Sequence, residues 1–123
     1  MTSQAEAGSD SAQASAVALD RAMTNGALSA ERVTEQCLSR IRDADTMIHA
    51  FVEVDFENAL AAARSADRVP LRKRGLLHGL PVAVKEVFDV KGLHCGWGSP
   101  IHRDRVPAED AEVVRRLRSA GAI

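Results

Sequence analysis

Between Gly75 and Gly92 the chain reads GLLHGLPVAVKEVFDVKG, and this stretch constrains the fold more than any other. Val82 to Val90 is an apolar, β-branched run with charges inside it, which predicts a strand. Pro81 suits the start of such a strand, because it cannot donate within a ladder. Alternation puts Val82, Val84, Glu86 and Phe88 on one face and Ala83, Lys85 and Val87 on the other. Neither face is cleanly polar, so a charge sits among apolar neighbours whichever face is inward. Lys85 and Glu86 point to opposite faces and need separate partners. A lysine held among Val82, Val84 and Val87 would lose solvation, which favours the neutral amine and makes it a candidate general base. The plainer alternative is a strand-edge lysine whose stem carries its charge to water.

Helices are expected on the N-terminal side. Residues 1–11 (MTSQAEAGSDS) have low hydrophobicity and no period, the pattern of a disordered tail. From Ala12, Ala16, Leu19 and Met23 share one helical face, and Asn25-Gly26 ends the run. Ser29 reads as an N-cap with Glu31 in the first turn, opening a second helix over 30–43 with Val33, Cys37, Leu38 and Ile41 as its stripe. The two make a helical hairpin. Asp43 to Thr46 reads as a turn, Ala50 to Val54 as a short strand, and Asp55 as the cap of a third helix over 56–67. That helix (FENALAAARSA) is rich in alanine, which suits close packing against another element.

A basic loop follows, with Arg72, Lys73 and Arg74; without aromatics it is a weak nucleic-acid signal. After the central stretch, GLHCGWGS is a glycine-punctuated loop over 92–99. Pro107 reads as the first residue of a last helix, with Val113, Val114 and Leu117 on its apolar face and Gly121 as its stop. The chain reaches Ala122-Ile123 where another strand should begin, which reads as a truncated helix–turn–strand unit.

Composition limits what this chain can build alone. It has 123 residues and 46% hydrophobic content, yet about 21 residues are Ala and aromatics are only 3%. The available core is modest. A formal net charge of -1 argues against a protein that coats nucleic acid or an anionic membrane. No apolar run approaches the ~18 residues of a membrane span. Two cysteines, Cys37 and Cys95, make no disulfide framework, and no secretory signal opens the chain, so a cytoplasmic setting is expected.

Other candidates for chemistry are weaker. His78, His94, Cys95 and His102 fit no trusted metal spacing. Cys95 and Ser99 carry no signature of an activated nucleophile. There is no phosphate loop or dinucleotide fingerprint, so no cofactor or metal is called for.

The stretch LHGLPVAVKEVFDVKGL, followed by Gly98-Ser99, resembles the first sequence block of the amidase signature family. In that block a Gly-x-Pro element leads into a strand bearing the catalytic lysine, and a Gly-Ser pair follows. The resemblance continues through HRDRVPAEDAEVVRRLRSAGAI and upstream through SAERVTEQCLSRIRDADTMIHAFVEVD, so it spans residues 12–123. It implies an α/β fold: the N-terminal part of an α/β/α sandwich, with a helical hairpin, short strands and a crossover helix, incomplete on its own. It also implies a Ser–cis-Ser–Lys hydrolase of amide C–N bonds, with Lys85 at the position of the catalytic lysine.

Two departures stand out. Glu86 takes the place of the usual Asp, and His94-Cys95-Gly96 replaces the expected Thr-rich run, which speaks against the tRNA-dependent amidotransferase branch. The 123 residues hold no Gly-Gly-Ser-Ser-Gly-type segment for the serine pair. The expectation is therefore a catalytically incomplete amidase fragment. Its parent would act on a small-molecule amide without nucleic acid or membrane, and the fragment alone would tend to self-associate. The alternative is a non-catalytic accessory or interaction module derived from an amidase.

Overall fold

The computed structural model describes residues 14–123. The tail expected over 1–11 and Ala12 itself lie outside the described residues, but residues 14 and 15 are not helical, so the first helix starts later than the expected Ala12. Helix α1 spans Ala16–Thr24, and Ser15 Oγ accepts the Ala18 N–H at 3.2 Å. Gly26 follows at φ +79°, which a residue with a Cβ adopts at a cost. Helix α2 spans Ala30–Ile48 and is capped by Ser29, whose Oγ accepts the Arg32 N–H at 3.0 Å. Helix α3 spans Phe56–Asp67, with the Asp55 carboxylate accepting the Asn58 N–H at 3.3 Å. Helix α4 spans Glu112–Ser119.

The helices α2 and α3 pack antiparallel. At one end the Arg42 guanidinium lies 4.4 Å from the centre of the Phe56 ring. At the other the Arg64 Nε donates to Glu31 at 2.6 Å. Ala63 and Ala66 of α3 are buried in this contact, as the alanine-rich sequence suggests. Leu19 and Met23 from α1, Ala30 and Val33 from α2, and Leu80 complete one core, against which Leu28, Leu77 and Ile123 pack. The hairpin expected of α1 and α2 is thus secondary to the α2–α3 pair.

Several expectations are corrected. Asp43 to Thr46 is not a turn: α2 continues to Ile48, and His49 takes the left-handed conformation at φ 51°. The Asp45 carboxylate instead accepts the Ala50 N–H at 2.7 Å and the Phe51 N–H at 3.2 Å, so its turn-forming contact falls just beyond the helix end. Pro107 does not open the last helix. Its carbonyl accepts the Gly92 N–H at 3.1 Å, Ala111 donates to the Asp89 carbonyl at 2.8 Å, and Asp110 accepts the Lys91 N–H at 2.8 Å. These contacts lay 107–111 along 89–92 and move the helix start to Glu112.

Among the described residues no strand forms, so the expected strands over 50–54 and 82–90 are absent and the α/β sandwich is not seen. A strand needs a partner, which local propensity cannot supply. The 82–90 run also breaks at its middle, because the N–H groups of Val87 and Phe88 both donate to the Lys85 carbonyl, at 2.7 and 3.0 Å. A trace of a sheet remains. Ile123 donates to the Leu80 carbonyl at 2.9 Å and accepts from the Val82 N–H at 2.8 Å. That is the hydrogen-bond pattern of a parallel pair centred on Pro81, with α4 in the connection. Gly121 allows this approach, since a Cβ on it would lie 2.8 Å from the His78 Cα; Gly79 instead lets the segment pack against α2, where a Cβ would lie 2.8 Å from the Ala30 Cβ.

Candidate functional site

Lys85 closes the extended segment from Pro81 and begins the turn at 85–88. It is exposed, and so are Val82, Val87 and Phe88. The expectation that Lys85 is held among buried valines is corrected. The apolar run has no covering layer among the described residues, and the turn breaks its alternation.

Glu86 pairs with the backbone of the neighbouring loop and not with Lys85, although the strand alternation that led to this expectation is absent. Its Oε1 accepts the Gly96 N–H at 2.8 Å. The glycine-punctuated loop is thereby tied to the residue next to Lys85. Cys95 is buried beneath this contact, with Sγ 3.5 Å from the Glu86 carbonyl oxygen and 3.6 Å from that of Phe88. Burial pushes the Cys95 thiol above its ordinary value, with Asp89 adding to the effect. A thiol in this state is a poor nucleophile.

Arg105 closes the cluster. Its two terminal nitrogens donate to the two Asp89 oxygens, each at 2.6 Å, a fork-to-fork geometry. Nη1 also donates to the Cys95 carbonyl at 3.2 Å, while the Cys95 N–H donates to the Arg105 carbonyl at 3.0 Å. The guanidinium lies 4.4 Å from the centre of the Trp97 ring. Trp97 stands at φ 55°, and His102 meets its ring edge-on with centroids 5.1 Å apart. The Arg105 hydrogen bonds hold the Asp89 carboxyl below the ordinary aspartate range.

The histidines are dispersed. His78 Nε2 donates to the Ala66 carbonyl at 2.9 Å, and His94 donates through its backbone N–H and Nδ1 to Glu53, while His102 lies against Trp97. Among the described residues no group of His, Cys, Asp or Glu is placed to hold a metal ion. Of the basic loop, Arg74 is structural, donating to the carbonyls of Val69 and Met23 at 3.0 and 3.3 Å. No helix among the described residues is long and apolar enough to cross a membrane. Sequence reasoning missed the Asp89–Arg105 pair. A lone acid and a lone arginine sixteen residues apart give no periodic signal.

The Amidase family model matches residues 32–123. A glutamyl-tRNA(Gln) amidotransferase subunit of Salinispora tropica is 44% identical over 111 residues, covering 89% of this chain and 23% of the relative. Its counterpart in Streptomyces coelicolor is 38% identical, covering 94% and 24%. The chain therefore spans about a quarter of the length of the curated relatives it matches. Among solved structures, the native peptide amidase of Stenotrophomonas maltophilia superposes with a TM-score of 0.82 at 32% identity, over 92% of this chain and 24% of that one. A component of a vestigial complex, described as revealing the evolutionary origins of an s-triazine catabolic enzyme, gives 0.84 at 35% identity, over 89% and 25%. With family match, sequence identity and backbone all in agreement, the chain belongs to the amidase family.

Proposed function

We propose that these residues are the N-terminal segment of an amidase that hydrolyses carboxamide C–N bonds, with Lys85 as its base. The observation that carries this reading is the family match across the Lys85 block, from the Gly79-Leu-Pro81 element to Gly98-Ser99. In the proposed chemistry the neutral lysine amine takes a proton from a bridging serine. That serine in turn accepts the proton of the nucleophilic serine as it attacks the amide carbonyl, and backbone N–H groups hold the oxyanion. This is a Ser-Lys variant of triad logic. Both serines would lie outside the 123 residues, so the segment would supply a base without a nucleophile.

The substrate class proposed is a small-molecule amide. The tRNA-dependent chemistry in the relatives' names is the second reading: both relatives are amidotransferase subunits, while His94-Cys95-Gly96 stands where a Thr-rich run is expected of that branch. A cytoplasmic setting and self-association of the segment alone belong to the first reading. Exposed Met47, Leu76 and Ile101, each more than four-fifths accessible, support self-association. The test is a longer polypeptide joining this segment to the Gly-Ser-rich remainder of an amidase relative. It should release ammonia or amine from simple carboxamides and aryl amides, and should label with a serine-directed fluorophosphonate. A well-folded product that does neither would refute the reading.

A further inference from the structure

We infer that Asp89 and Arg105 are positioning residues for Lys85, forming a clamp that fixes its turn against the loop over 95–99. This inference rests on the amidase reading above. The connection is covalent at one end and hydrogen-bonded at the other. The Lys85 carbonyl holds the N–H groups of Val87 and Phe88, so the turn it starts leads directly into Asp89. Asp89 is gripped by both Arg105 nitrogens at 2.6 Å, and Arg105 also reaches the Cys95 carbonyl at 3.2 Å. Cys95 precedes Gly96, whose N–H donates to Glu86 at 2.8 Å, next to Lys85. The contacts thus form a closed circuit that leaves Lys85 and returns beside it.

The chemistry needs such a device. An exposed lysine on a flexible stem samples many rotamers, whereas a proton-transfer base must be held within hydrogen-bond reach of its partner. Fixing the backbone on the C-terminal side of Lys85 reduces that freedom without touching the amine. Only arginine serves at 105, because the pair is bidentate and the same planar cation covers the Trp97 ring.

The test has two arms. In the 123-residue chain, amide hydrogen exchange is followed in Arg105→Lys and Asp89→Asn. Exchange at Val87, Phe88 and Gly96 should rise about tenfold or more, while Val33 and Ala63 in the helical core keep wild-type rates. Unchanged exchange at the three amides, or an equal rise in the core, would overturn the clamp. In the longer amidase, Arg105→Lys should lower kcat about tenfold with KM within about twofold, the signature of a misplaced base. Lys85→Arg is measured beside it. If Lys85→Arg is inactive and Arg105→Lys keeps full kcat, the positioning role is overturned while the amidase reading stands. If Lys85→Arg keeps turnover, the proposal falls with its premise.

Discussion

The carboxylate of Asp67, at the last residue of α3, accepts the backbone N–H of Ala30, at the first residue of α2, at 2.7 Å across 37 positions of sequence. The Glu31 N–H reaches its other oxygen at 3.0 Å. The first turn of a helix leaves N–H groups without intrahelical partners and carries the positive end of the dipole. Asp67 meets both needs from another helix, so it fixes the register of the α2–α3 pair as well as capping α2.

Replacing Asp67 with Ala should therefore cost more than losing a local cap. Two partly buried donors lose their acceptors, and the expected loss is about 1–2 kcal/mol. Asp67→Asn keeps one acceptor oxygen and should lose less. The urea midpoint followed by circular dichroism measures both. Arg64→Ala, which removes the exposed neighbouring ion pair with Glu31, should move the midpoint little. The idea is wrong if Arg64→Ala proves the more damaging change.

Local signals in the sequence were legible and non-local ones were not. Ser29 and Asp55 cap helices as expected, because a cap involves residues only a few positions apart. Glu86 does take a partner other than Lys85, but at a turn and not through the strand alternation behind that expectation; that the partner is the Gly96 N–H was not legible, because nothing in a sequence names the far end of a hydrogen bond. Pro107 carries a helix-start signal, yet Asp110, whose carboxylate would suit the first turn of such a helix, is engaged by the Lys91 N–H. The strand pattern over 82–90 fails in the same way. Its propensity is real, but among the described residues its backbone is paired only near its ends, with Ile123 at Val82 and with Ala111 at Asp89. The burial expected of Lys85 depended on that strand and failed with it.

The Asp89–Arg105 pair should make the loop over 95–105 resist mild acid. Arg105 keeps the folded Asp89 carboxyl below its ordinary value, so the unfolded chain binds its proton first as pH falls. The stabilisation is present above the ordinary aspartate value of about 3.9 and is lost as pH drops through the lower folded one. Trp97, the sole tryptophan, lies against Arg105 and reports the change. In a His102→Gln background, which removes the neighbouring imidazole, its emission should stay constant from about pH 8 to 5 and shift only below about 4. Asp89→Asn should abolish that acid transition. A transition that survives in Asp89→Asn would assign it to another group.

Cys95 should react slowly with disulfide reagents. It is 2% exposed and its thiol is raised by burial, so at pH 8 both access and thiolate fraction are low. The expected rate is about tenfold or more below that of the same cysteine in urea. Arg105→Ala, which frees the Cys95 carbonyl and the Asp89 carboxylate, should speed the reaction. Rapid modification of the folded chain would show that the loop does not close over the thiol.

The 123-residue chain should hydrolyse no simple amide above background. It carries the proposed base and no Gly-Ser-rich nucleophile segment. Removing a member of such a catalytic unit costs nearly as much as removing all of it. The assay is release of product from an aryl amide by purified chain, with Lys85→Ala as control. Turnover that disappears in Lys85→Ala would mean that a nucleophile exists within these residues, with Ser99 the first to be tested.

In the longer amidase, Lys85→Ala and Lys85→Arg should fail alike while the fold is spared. Lys85 lies at the start of a turn outside the α2–α3 core, so neither substitution disturbs that core. Arg keeps the positive charge but cannot become a neutral base near pH 7, since its pKa exceeds about 12. A structural or electrostatic cation would be rescued by Arg, whereas a proton acceptor would not. Both variants should lose on the order of 10²-fold or more in kcat. The contrast between them reads the role of the residue and not only its importance. Near-normal turnover in Lys85→Arg would leave Lys85 a cation and remove it from the proton-transfer chain.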